Sequence, residues 1–282
     1  MNTTLYIVST PIGNLGDITL RALEVLKSVD LVAAEDTRHS RKLFSRYEIK
    51  TPLVSYYSAK EEITGDKVLA ELKSGKNVAL ISDAGTPGIS DPGYYLIKKT
   101  IDEGGKVITI PGPSAIISAL TLSGLPTDRF VFEGFLPPKG SARKKRLEAI
   151  LDEKRTIILY ESPRRAGRTL KELLQLLGDR KAALARELTK IHEEVVRGKI
   201  SDIIKVVEEK GLKGEVTLIL AGHDEKVVKS TDEADVVSTL QSILDKGLSV
   251  KDTAEIASRE LNISKRAVYQ EIIRMKDQRG KK

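Results

Sequence analysis

Leu5-Tyr6-Ile7-Val8-Ser9-Thr10-Pro11-Ile12-Gly13-Asn14-Leu15-Gly16-Asp17, followed by an amphipathic stretch over residues 20–29, sets the rhythm of the first half of the chain. A β-branched run that ends in a Gly/Pro/Asn-rich bend and gives way to a longer amphipathic segment reads as strand, loop, helix. The rhythm recurs: 31–34 then 38–47, 78–82 then 94–103, 107–110 then 114–124. Such alternation predicts an α/β fold, a mostly parallel sheet covered by helices on both faces. Ligands of open α/β sheets bind beyond the carboxyl ends of the strands, so the loops there are where chemistry is expected.

Outward from that half, Gly124-Leu125-Pro126 breaks the pattern. Strand readings then fall at 130–135, 156–160, 182–187, 193–197 and 215–221, with helices near 143–153 and 165–177. The later strands follow each other closely, as in a sheet with antiparallel members. The expected organisation is an N-terminal α/β domain over residues 1–124, a second over 125–222, a polar linker over 223–232 and a tail over 233–282. The tail reads as three short helices, 234–246, 250–260 and 264–276, with Ser264 as an N-cap, a tight connector at 261–263 and a small core of Ala254, Ala257, Ile263 and Val268. That is helix-turn-helix spacing.

Among the 282 residues, 47 Lys and Arg face 40 Asp and Glu, a formal +7 that makes a polyanionic partner plausible. The charge is localised. From Ser264 onward seven basic residues meet two acids, so the tail's end carries +5 and residues 1–263 only +2. No cysteine is present, which excludes disulfides, thiolate-ligated metals and thiol nucleophiles, and fits a reducing cytoplasm. His39, His192 and His223 show no paired ligand spacing, so no metal site is expected. No apolar run approaches the roughly 18 residues of a membrane span.

Several loops concentrate glycine, proline and small hydroxyls. The first is residues 9–17 above. The second, Ser82-Asp83-Ala84-Gly85-Thr86-Pro87-Gly88-Ile89-Ser90-Asp91-Pro92-Gly93, is a backbone-rich bowl whose glycines match neither GxGxxG nor GxxxxGK[ST]. The third, Pro111-Gly112-Pro113-Ser114-Ala115, opens a helix whose first N–H groups suit a carboxylate. The fourth, Tyr160-Glu161-Ser162-Pro163-Arg164-Arg165, sets a carboxylate beside two guanidiniums. Strand two ends in Ala34-Glu35-Asp36-Thr37-Arg38-His39-Ser40-Arg41-Lys42, a charge excess that reads either as catalytic or as helix capping and pairing.

These loops resemble a known family. Residues 6–17, Ala34-Glu35-Asp36-Thr37-Arg38, Ser82-Asp83-Ala84-Gly85-Thr86-Pro87, Pro111-Gly112-Pro113-Ser114, Glu133-Gly134-Phe135-Leu136-Pro137 and Ala185-Arg186-Glu187-Leu188-Thr189-Lys190 are similar to six ordered motifs of the ribosomal small-subunit RNA cytidine-2′-O-methyltransferase I family. The tail resembles its helix-turn-helix extension. The resemblance implies a tetrapyrrole-methylase-type fold of two α/β domains with S-adenosylmethionine (SAM) in the interdomain cleft, a homodimer, and methylation of a cytidine 2′-hydroxyl in the decoding region of 16S rRNA within the 30S subunit. It implies a SAM pocket of Pro11, Asp83, Gly85, Ile89, Ser90, Ser114, Ala115, Tyr160, Leu188 and Thr217. The chain departs from the family pattern at Tyr57-Ser58-Ala59-Lys60, keeping only Ser55-Tyr56 and the Glu61 position around it.

A ribose hydroxyl is a poor acid, so a base is expected near the transferred methyl. Asp36 or Glu35 is the candidate, with Arg38 fixing a phosphate. Further phosphate contacts are expected from Arg143, Lys144, Lys145 and Arg146, from Arg164 and Arg165, and from Lys265 and Arg266 in the tail. Two other readings share the cofactor: a tetrapyrrole methylase, and a SAM-sensing DNA-binding regulator.

Overall fold

The computed structural model describes residues 3–57, 61–223, 233–245, 248–261 and 265–279. The chain divides into two compact units, Met1–Ser118 with Leu188–His192, and Ala119–Glu187 with Glu193–Lys282.

In the first unit, strands β1 (Thr4–Val8), β2 (Leu31–Ala34), β3 (Leu53–Ser55), β4 (Val78–Ile81) and β5 (Lys106–Ile110) form a sheet of order β3-β2-β4-β1-β5. Every pairing in it is parallel. Helices α1 (Leu20–Ser28), α2 (Thr37–Arg46), α3 (Glu61–Lys73), α4 (Tyr94–Asp102) and α5 (Ala115–Ser123) complete the alternation. The pleat explains why these strands are apolar throughout: successive side chains enter opposite layers. On β2 and β4, Val32, Ala34, Ala79 and Ile81 pack with Leu26 and Phe44 on one face. Leu31, Ala33, Val78 and Leu80 pack with Leu69 and Leu96 on the other. Thr19 caps α1, its hydroxyl accepting from the Ala22 N–H at 3.1 Å. Because all five strands run the same way, the loops leaving β1, β2, β4 and β5 share one edge.

In the second unit, β6 (Phe130–Phe135), β7 (Thr156–Glu161), β8 (Lys181–Arg186), β9 (Glu194–Lys199) and β10 (Val216–Leu220) run in the order β6-β7-β10-β8-β9. β6 pairs with β7 in parallel, and the other pairings are antiparallel, as the close strand spacing predicts. α6 (Gly140–Ala149), α7 (Pro163–Leu177) and α8 (Ile200–Lys210) cover this sheet, with Leu147, Leu170, Leu173, Ile200 and Ile203 in its core. Pro163 opens α7, where a missing N–H costs nothing, and Gly178 closes it at φ +75°.

The tail forms α9 (Glu233–Leu244), α10 (Val250–Glu260) and α11 (Lys265–Arg279), packed on Val236, Leu240, Ile243, Ala254, Ala257, Val268 and Ile272. Residues 262–264, which include the expected core residue Ile263 and cap Ser264, lie outside the described residues, as does the expected linker beyond His223. Among the described residues no helix is long and apolar enough to cross a membrane.

Candidate functional site

Three of the glycine- and proline-rich loops meet at the carboxyl edge of the first sheet. Thr10 and Gly85 exchange backbone hydrogen bonds at 2.9 and 3.0 Å, an isolated antiparallel bridge tying the loop after β1 to the bowl after β4. The Thr10 hydroxyl donates to the Ser82 carbonyl at 3.1 Å, and the Ser9 and Thr86 hydroxyls sit 2.8 Å apart. A Cβ added at Gly85 would lie 3.6 Å from Ile12 and 3.9 Å from the Pro113 carbonyl, so the loop after β5 closes the third side. Pro11 is buried beneath, Ser114 and Ala115 lead into α5, and Ile89 and Ser90 are exposed on the bowl. Ser90 holds φ +65°, a left-handed conformation that costs a non-glycine residue energy and recurs at functional sites. Leu188 belongs to this unit: a Cβ on Gly13 would meet the Leu188 carbonyl at 2.9 Å and Lys190 Cγ at 2.5 Å, so only glycine admits that segment against the first loop.

Carboxylates collect at the same edge. Asp83 Oδ1 accepts from the Asp36 N–H at 3.0 Å, joining the ends of β4 and β2. Burial, then the Asp83 charge, raise the Glu35 carboxyl above its ordinary range. Burial also pushes Asp91 up to about 6, with the charges of Glu35 and Asp83 adding to it against a hydrogen bond from Ser82. Asp36 behaves oppositely. It caps α2, accepting from the Arg38 N–H at 2.8 Å and pairing with the Arg38 guanidinium at 2.9 Å, and these contacts hold it down at about 2. Arg38 is otherwise exposed.

Two residues that sequence reasoning left without a role brace the bowl. Glu61 accepts from the Gly93 N–H at 2.9 Å and the Tyr95 N–H at 3.3 Å, anchoring the bowl's last residue, and from the Tyr56 hydroxyl at 3.0 Å. Tyr56 is buried, and its hydroxyl is raised by burial and by Glu61. Their retention on either side of the divergent residues 57–60 was the available signal.

Tyr160 and Thr217 lie on the second unit, paired in register across β7 and β10. A cavity of about 830 Å³ lined by both signs of charge, among them Asp128, Arg129, Asp152, Glu153, Arg155 and His223, sits at the other end of those strands and includes no expected site residue.

The expected phosphate contacts need correction. Arg143 is 3% exposed: it reaches Glu172 at 2.8 Å, Thr169 at 2.7 Å and the Pro137 carbonyl at 3.0 Å, so it is part of the core and not an RNA contact. Arg165 is likewise engaged, bound to Glu161 at 2.6 Å and to the Leu136 carbonyl at 3.3 Å. Lys144, Lys145, Arg146 and Arg164 are all exposed, Arg146 pairing with Glu133 at 2.6 Å and Lys144 with Glu148 at 3.8 Å. Lys265 and Arg266 open α11, and their side chains lie outside the described residues.

Comparison with known proteins gives the class first. Residues 4–204 match the family of Tetrapyrrole (Corrin/Porphyrin) Methylases. The fold is shared with uroporphyrin-III-C-methyltransferase from Thermus thermophilus (TM-score 0.58, 21% identity, 78% of this chain and 94% of that one) and with a diphthine synthase (TM-score 0.59, 16% identity, 79% and 92%). Ribosomal RNA small subunit methyltransferase I of Synechocystis sp. is 46% identical over 94% of this chain and 96% of its own length. Its namesake from Thermotoga maritima is 48% identical over 78% of this chain and 99% of its own length. The chain belongs to the ribosomal RNA small subunit methyltransferase I family, within the tetrapyrrole methylases, and is a SAM-dependent methyltransferase. The first unit's loops fit that cofactor: small residues and backbone wall the space around Gly85, and the Glu35, Asp83 and Asp91 carboxylates suit a cationic ligand bearing ribose hydroxyls.

Proposed function

We propose that this protein transfers the SAM methyl group to the 2′-hydroxyl of a cytidine ribose in the decoding region of 16S rRNA, acting in the cytoplasm as a homodimer on the 30S subunit. The observation that carries the reading is the joining of Glu35, Asp83 and Asp91 to the three closed loops at one sheet edge. Relatives named as small-subunit rRNA methyltransferases support the substrate.

SAM supplies, when bound, a methyl group on a sulfonium. Pro11, Asp83, Gly85, Ile89, Ser90, Ser114, Ala115 and Leu188 are the first unit's candidate contacts, with Tyr160 and Thr217 those of the second. The loops are closed by their own hydrogen bonds, so little ordering remains to be done on binding, and positioning supplies much of the acceleration. Glu35 is the stronger candidate for the proton acceptor. A general base works best when its pKa lies toward the operating pH, and burial moves Glu35 that way while Arg38 moves Asp36 away. Asp36 then orients the start of α2.

Incubating the protein and labelled SAM with 30S particles from a strain lacking the gene tests the reading. Label is expected at a cytidine 2′-O-methyl group of 16S rRNA, located by mass spectrometry. Label in a porphyrinoid instead, or tight duplex-DNA binding without transfer, would overturn it.

A further inference from the structure

Three of the four phenylalanines, Phe130, Phe132 and Phe135, lie on one strand, β6, at the edge of the second sheet. The strand is irregular where the last of them sits. Phe132 pairs with Ile158 but Phe135 pairs with Tyr160, so three steps on β6 match two on β7. Gly134, at φ +62°, takes the left-handed conformation the extra residue needs. Side chains alternate faces along a strand, so without this bulge Gly134 would oppose Tyr160 and Phe135 would point to the other face. With it, the Phe135 ring lies 5.5 Å from that of Tyr160 and remains 55% exposed, while Phe132 meets Tyr160 edge-on at 4.9 Å. The backbone distortion thus places an aromatic face in solvent beside another aromatic ring.

The chain just after Phe135 is held by an uncommon device. The Leu136 carbonyl accepts from Arg165 and the Pro137 carbonyl from Arg143; Arg165 pairs with Glu161, a carboxylate only 2% exposed, at 2.6 Å, and Arg143 lies 4.0 Å from the same carboxylate while pairing with Glu172 at 2.8 Å. Thr169 links the two sides, accepting from Arg143 and donating to Glu161, each at 2.7 Å. Committing three charges, Arg143 and Glu161 among them buried, to fix two carbonyls is a costly way to hold a loop, and it leaves the aromatic face little freedom to collapse. Two exposed cations adjoin this loop in the chain: Lys139, four residues after Phe135, and Arg164, next to the Arg165 that holds the Leu136 carbonyl, while Glu133, the acid of the same strand, is tied to Arg146.

We propose that Phe135, backed by Tyr160, is a stacking platform for a nucleobase of the single-stranded RNA substrate, with Arg164 contacting a neighbouring phosphate and Glu161 as the positioning residue that fixes the loop. The proposal rests on the RNA-methylating reading above and names how that substrate is gripped. An exposed aromatic face among exposed cations is the combination that binds unstacked bases, since every base has a π-face and every linkage a charge.

The test measures three quantities on the full chain: affinity for a short fluorescein-labelled oligocytidylate by anisotropy, SAM affinity by calorimetry, and kcat/KM for methyl transfer to 30S particles. Phe135→Ala is expected to weaken oligonucleotide affinity and kcat/KM by about tenfold or more, with SAM affinity within about twofold of the parent. Phe135→Trp should restore affinity, whereas Phe135→Leu, which keeps apolar bulk without a π-face, should behave as Ala. Glu161→Gln should lower oligonucleotide affinity while Phe135→Trp retains it. The platform is refuted if Phe135→Ala leaves oligonucleotide affinity unchanged, if SAM affinity falls in parallel, or if Leu rescues as well as Trp. If the parent protein transfers no methyl group to 30S particles, it is the substrate reading that fails.

Discussion

At the end of β2 the Asp36 carboxylate is tied to Arg38, whereas burial and the Asp83 charge work against ionisation of Glu35, so the two neighbouring carboxyls are shifted in opposite directions. Glu35→Gln is expected to lower kcat by about 10²–10⁴-fold at saturating SAM. Asp36→Asn, which still caps α2, should keep kcat within about tenfold. A single-turnover assay separates the two, and near-normal turnover by Glu35→Gln would remove it from the chemistry. Asp91 makes a stability statement of the same kind. Its folded value of about 6 lies above the ordinary 3.8, so the native state holds its proton more tightly than the unfolded chain does. Its contribution is therefore fully present below about pH 4 and is lost as pH rises toward 6. Asp91→Asn should raise the stability of the SAM-free protein at pH 7.5 by about 1–2 kcal/mol, allowing for partial screening, and leave it unchanged near pH 3.5. Urea unfolding at both pH values checks this, and equal effects at the two would contradict it.

Among the elements, α6 shows how local composition conceals a fold. Arg143-Lys144-Lys145-Arg146 reads as a solvated basic run, yet Arg143 shares one face with Leu147 and Ile150, at helical spacing, and all three are buried. That periodicity was the signal separating Arg143 from its neighbours. Removing it opens a cavity and takes the guanidinium from the Thr169 hydroxyl, the Pro137 carbonyl and Glu172, while Glu161 keeps Arg165 and Thr169, so Arg143→Ala should cost about 2–4 kcal/mol in urea unfolding. A cost below about 1 kcal/mol would mean that water replaces the guanidinium at Thr169 and the Pro137 carbonyl. Four of the first sheet's five parallel strands were legible because each is flanked by a loop and a helix of contrasting composition, whereas β3, three residues long, was not. α3 was harder, because Gly65 resembles a breaker inside it; a Cβ there would meet Tyr95 at 2.7 Å, so the residue marks close packing of α3 on α4. α8 follows β9 without an intervening loop, leaving no punctuation to read. At the site, the loops were legible through their glycine and proline, but the brace of Glu61 and Tyr56 and the raised pKa of Asp91 depend on who is near whom in space.

For the whole molecule, the uneven charge and the self-contained core of the tail bear on the same question. The tail buries its own apolar face through α9, α10 and α11, and α11 also touches α7 of the sheet-bearing part of its unit. The Thermotoga maritima relative is matched over 99% of its length by 78% of this chain, so about a fifth of this chain has no counterpart in a protein of the same name. The loops around Gly85 and the carboxylates at Glu35, Asp83 and Asp91 all belong to the first unit, so the expected role of the tail is in substrate grip. Residues 264–282 hold +5 of the chain's +7, and each cation that displaces a counterion from single-stranded RNA adds about 0.7 to the slope of log affinity against log salt. Ending the chain after Thr231 removes the seven cations of that stretch together with residues 232–263, where three basic residues face seven acids, and should weaken 30S binding at low salt by about tenfold and flatten that slope by about two, with SAM affinity unchanged. Titrations of the full and shortened proteins against 30S particles at several salt concentrations decide it. Superimposable slopes would place the cationic end of the tail away from RNA and shift phosphate binding to exposed cations of the second sheet's helices, Lys145 and Arg164 first among them.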